Sequence, residues 1–112
     1  MIHCVITESS GVLRRLESKG HAHTDSRQGA VSISCAAVSA LIRSLGMALE
    51  MRSDVEVRVH TLSPGNVCFH IVSSAPESQG WLRGLTDMFI QGMEGAKNDF
   101  PDQIFFERKK SI

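Results

Sequence analysis

Over residues 1–7 apolar and polar positions alternate, with Ile2, Cys4 and Ile6 on one side, and this period of two predicts a strand. Ser9-Ser10-Gly11 is a turn signal. A second alternating run, Val12 to Ser18, puts Val12, Arg14, Leu16 and Ser18 on one side and Leu13, Arg15 and Glu17 on the other. The two runs read as a hairpin. From Gly20 to Gly29 only Ala22 is apolar, so this stretch reads as a long polar loop.

Ser32 to about Arg52 carries a different period. Ile33, Ala36, Ala37, Ala40, Leu41, Leu45, Ala48 and Leu49 recur at steps of three and four and predict an amphipathic helix whose small residues approach a sheet. Val55, Val57 and Val59 then alternate with Glu56, Arg58 and His60, a strand pattern. Ser63-Pro64-Gly65-Asn66 is a turn, and Val67 to Ser73 returns as the partner strand. After a polar break from Ser74 to Gly80, Trp81, Leu82, Leu85, Met88, Phe89 and Met93 predict a second helix. Asp99-Phe100-Pro101-Asp102 stops it, Ile104 to Glu107 reads as a closing strand, and Lys109-Lys110 as a frayed tail.

The order β-β-α-β-β-α-β predicts an α+β fold: a mainly antiparallel sheet with two helices packed on it, a two-layer sandwich. A single domain over residues 1–112 is expected for this length. The sheet face opposite the helices, with His3 and Val5, is then left to solvent or to a second subunit. Trp81 and its apolar neighbours read as core.

Composition narrows the function classes. Twelve basic residues balance twelve acidic ones, which argues against direct nucleic-acid binding and against a membrane-surface protein. Five Phe, one Trp and no Tyr provide few stacking platforms for single strands. No apolar run approaches the roughly 20 residues of a membrane span, and residues 1–7 do not read as a signal peptide. A cytoplasmic protein is expected. Three widely spaced cysteines, Cys4, Cys35 and Cys68, offer neither a disulfide framework nor a zinc knuckle. Cys4 and Cys68, in apolar strands, read as inert core thiols.

Chemistry concentrates between Gly20 and Ala40. His21 follows a strand end, and Cys35 falls in the first turn of the next helix. The N–H groups of a helix N-terminus have no intrahelical partner and carry partial positive charge. They stabilise a thiolate, and a nearby imidazolium lowers the thiol pKa further. Such a pair suits nucleophilic catalysis, with the same N–H groups receiving an oxyanion. From spacing alone, a cysteine among alanines is more often a small buried hydrophobe. His21, His23 and Cys35 also admit a three-ligand metal site. Ser39, one turn after Cys35, bonds locally or faces the pocket. Lys19 and Arg27 are candidates for stabilising the thiolate or gripping a substrate backbone.

Gly20-His21-Ala22 followed by Cys35-Ala36-Ala37-Val38-Ser39-Ala40 resembles the ribosomal-processing cysteine protease family of bacteria. The likeness extends to element order, to nearly the whole length, and to Phe100-Pro101 ahead of Ile104. It implies a cysteine endopeptidase with Cys35 as nucleophile and His21 as general base, and with Gly20, Ala22, Ser32 and Ser39 as supporting positions. The implied substrate is the precursor of a large-subunit ribosomal protein, the one numbered twenty-seven, cut after a short apolar segment that contains phenylalanine. The implied enzyme is a homodimer needing no metal or cofactor. Ser32 stands where the family has Asp; serine caps a helix as aspartate does, and Asp25 is the nearby carboxylate. A catalytically weak relative that binds ribosomal partners is the alternative this replacement suggests.

Overall fold

A computed structural model describes residues 1–20, 33–63 and 65–111. The strands are β1 (Ile2–Ser9), β2 (Val12–Lys19), β3 (Val55–Ser63), β4 (Asn66–Ser74) and β5 (Ile104–Lys110); the helices are α1 (Ile33–Glu50) and α2 (Gln79–Asp99). The sheet has five strands in the order β3-β4-β2-β1-β5. Three pairings are antiparallel, and β5 lies parallel to β1. The expected α+β order with two helices on a mainly antiparallel sheet is therefore what forms, with a parallel edge strand added.

Ser10 and Gly11, both at positive φ (54° and 77°), make the β1–β2 turn; positive φ at both central positions matches the twist of a two-residue hairpin. Past the turn the register runs Ser9–Val12 and Glu8–Leu13, then jumps to Thr7–Arg15. Arg14 is the extra residue of a bulge. The bulge reverses the alternation, so Leu13 and Leu16 both enter the core, and the predicted pairing of Val12, Arg14, Leu16 and Ser18 on one side does not hold. The Leu13 N–H is satisfied by Thr86 Oγ1 of α2 at 3.0 Å, and that hydroxyl in turn donates to the Leu82 carbonyl at 2.7 Å.

Both helices cover one sheet face, where Ile2, Cys4, Ile6, Leu16, Phe69, Ile71, Ile104 and Phe106 meet Val38, Leu45, Leu49, Leu82, Phe89 and Met93 in one cluster. The buried stripe of α1 is Ser34, Val38, Ile42, Leu45 and Leu49. The predicted alanine stripe is rotated away from the sheet, and Ile33 lies exposed. Large branched side chains remove more apolar area from water than alanines, so they set the helix phase. The close approach is instead between helices: a Cβ at Gly92 of α2 would sit 2.6 Å from Leu41 Cδ2. By length and composition α1 is apolar enough to cross a membrane, with a mean hydropathy of 1.4 over 18 residues, contrary to the reading of the sequence. Here its stripe packs on the sheet.

Two smaller expectations also change. Lys109 and Lys110 are not frayed but pair in register with Thr7 and Glu8. Cys68 is buried but stands outside the core cluster; it pairs with Glu17 on the opposite sheet face.

Candidate active site

Cys35 lies in the first turn of α1, half-buried against the edge of the core. It lines an apolar groove of about 610 Å³ between α1 and the β3–β4 end of the sheet. Ile42 and Met47 form the helix wall, and Val59, Leu62, Val67 and Phe69 the sheet wall. The groove is open: Leu62 is 78% and Met47 60% exposed. Arg43 and Glu50 of α1 add the charged groups along it. Leu62 reaches this side because β3 carries a bulge. The register passes from Val59–Phe69 to Thr61–Cys68 with His60 as the extra residue, so the alternation shifts and Leu62 follows Val59 onto the helix side.

Gly20 and Ser39 line the same groove as Cys35. Gly20, the residue just past β2, has φ +96°, a conformation glycine adopts without penalty. A Cβ there would also collide with the Met1 carbonyl oxygen. Its N–H donates to the Gly65 carbonyl at 2.9 Å, joining the end of β2 to the β3–β4 turn. Ser39, one turn beyond Cys35, is exposed and lines the groove. His21, Ala22, His23, Asp25, Arg27 and Ser32 lie outside the described residues.

Lys19 does not join this group. Its Nζ pairs with Glu17 Oε1 at 3.0 Å, and strand alternation sends it to the opposite face. Leu16 is fully buried in the core and is not among the groove's lining residues. Among the described residues no cluster of three His, Cys, Asp or Glu side chains could hold a metal. The groove walls were not visible in the sequence, because no local pattern links a helix to a strand twenty residues later across a sheet. Cys4 differs sharply from a nucleophile: burial pushes its thiol pKa up to about 12.

The described residues thus place a thiol in the first turn of a helix, beside an open apolar groove of an α+β sandwich. The chain belongs to the family described as cysteine protease Prp, which it matches over residues 1–105. Among solved structures, the SMU.848 protein of Streptococcus mutans is similar at 25% identity and a TM-score of 0.76, over 99% of this chain and 96% of that one. The essential ribosomal processing protease Prp of S. aureus, in complex with a covalently linked product peptide, is similar at 20% identity and TM-score 0.75, over 97% of this chain and 100% of that one. The same S. aureus protease with a substrate peptide gives 18% identity and TM-score 0.72. These likenesses carry the fold. No curated protein sequence matches.

Proposed function

We propose that this chain is a cysteine endopeptidase that removes the N-terminal extension of a large-subunit ribosomal protein, the one numbered twenty-seven. Cys35 is the nucleophile and His21 the general base. The observation that carries the reading is that Gly20, the residue before His21, and Cys35 line one groove. Family membership and the apolar walls, suited to a phenylalanine-containing segment, support it.

In this mechanism His21 takes the Cys35 proton and the thiolate attacks the scissile carbonyl. The first-turn N–H groups of α1 receive the oxyanion. His21 then protonates the leaving amine, and water cleaves the thioester to return the thiol. No metal or cofactor enters. The same reading has the enzyme cytoplasmic and homodimeric, with the sheet edges β3 and β5 as the surfaces available to a second copy.

Two measurements test it together. At about pH 6.5, iodoacetamide is expected to alkylate Cys35 far faster than Cys4 and Cys68, with the excess lost in His21→Ala. Purified protein is expected to cut a peptide spanning the precursor junction, and Cys35→Ala to abolish cutting. An intact peptide and no thiol preference would reject the protease in favour of a binding module. Protection of the label by zinc, reversed by chelator, would indicate a metal site instead.

A further inference from the structure

We infer that Gln103 is a positioning residue for the Cys35 thiol and acts through Ser34. Ser34 directly precedes Cys35 and is fully buried. Its hydroxyl donates to Gln103 Oε1, 69 residues further along the chain, on the segment between α2 and β5. That segment is itself held by backbone bonds. The Gln103 N–H donates to the Phe100 carbonyl at 3.0 Å, and the Gln103 carbonyl accepts from the Ile2 N–H at 2.8 Å. One glutamine thus ties the first turn of α1 to the start of β1 and the end of α2.

The consequence for Cys35 is geometric. The first turn of a helix lacks intrahelical partners for its N–H groups and frays before the rest. Ser34 faces the interior and Cys35, the next residue, is turned toward the groove. Fixing the Ser34 side chain therefore fixes the rotation of the first turn about the helix axis, and with it the direction of the sulfur. The sequence does carry a trace of this: a serine sits at an inward position of an otherwise apolar stripe. Removing the acceptor takes from the buried hydroxyl the bond that ties it to the α2–β5 segment.

The catalytic meaning rests on the function proposed above, but the anchoring is measured without it. In the full-length protein, Gln103→Leu removes the acceptor at similar volume, and Gln103→Glu keeps an acceptor oxygen. Gln103→Leu is expected to slow iodoacetamide alkylation of Cys35 and kcat for peptide cleavage by about tenfold, with KM unchanged. Gln103→Glu is expected to restore most of both, and Ser34→Ala with Gln103→Leu to be no worse than Gln103→Leu alone. Amide hydrogen exchange is expected to rise at Val38 and Ser39, whose helical N–H bonds run to the carbonyls of Ser34 and Cys35 in the first turn, while Ile6 and Leu16 stay protected. Wild-type alkylation and exchange in Gln103→Leu, additive effects in the double variant, or no rescue by Gln103→Glu would each overturn the inference. So would equal loss of protection in the first turn and the core, which marks a general structural role. If the wild-type protein fails to cleave, the protease reading falls, while the alkylation ratio and exchange still decide the anchoring.

Discussion

The N–H of Gly20 donates to the carbonyl of Gly65 at 2.9 Å, so the residue that precedes His21 is bonded to the turn between β3 and β4. Gly65 of this turn and Ser63, the last residue of β3, line the groove that Cys35 also lines. The end of β2 is thereby held from the sheet side of the groove, opposite α1. Gly20→Ala introduces both a strained positive φ and a collision with the Met1 carbonyl. A loss of about 2–3 kcal/mol in unfolding free energy is expected from urea denaturation. Cleavage is expected to fall further than the unfolded fraction explains. A variant with unchanged stability would mean that the close approach does not hold the strand end.

Thr86 is fully buried in α2 and accepts the Leu13 N–H beside the β2 bulge. Thr86→Val keeps the shape and removes the acceptor, leaving a buried N–H unpaired. Destabilisation of about 1–3 kcal/mol is expected. The check is the denaturation midpoint with an unchanged slope, together with faster exchange of the Leu13 amide.

Glu8 is buried, and Arg108 holds it with two bonds of 2.9 and 3.0 Å. The carboxylate raises the Arg108 pKa further above its already high ordinary value. Arg108→Met strips the partner from a buried carboxylate and is expected to destabilise by about 2 kcal/mol, discounted because Arg108 remains half in water. The double variant Glu8→Leu with Arg108→Met is expected to recover stability. Thermal denaturation of the single and double variants distinguishes the pair from mere packing.

On the open sheet face His60 and His70 stack with ring centroids 4.6 Å apart. Desolvation first, then the charges of His60, Arg58 and Arg15, lowers the His70 pKa below 6.5. Between that lowered value and 6.5 the unfolded chain holds a proton that the folded chain does not, so stability rises with pH across the window and falls on acidification. His70→Gln is expected to flatten this part of the stability curve. An NMR titration of the His70 ring that gave a value at or above 6.5 would remove the basis for it.

Much of the element order was legible because its signals are local. Valines at 55, 57 and 59 could only alternate as a strand, and Ser10-Gly11 could supply the positive φ of a tight hairpin. The candidate site was legible in part: Cys35 in the first turn of a helix and Gly20 at a strand end needed only the sequence and the family likeness. What misled was phase. The bulges at Arg14 and His60 insert single residues that reverse the side of everything beyond them, and no local composition marks them.

Taken alone, the amino-acid sequence determined the strands, the two helices and the proximity of a thiol to a helix N-terminus, since these follow from backbone propensity and short-range period. The tertiary structure decided which helix face is buried, that β5 runs parallel beside β1, that Leu62 joins Val59 in a groove leading to Cys35, and that Gln103 reaches Ser34. Each of these unites residues distant along the chain, and such pairings are set by competition among packings for the same buried area.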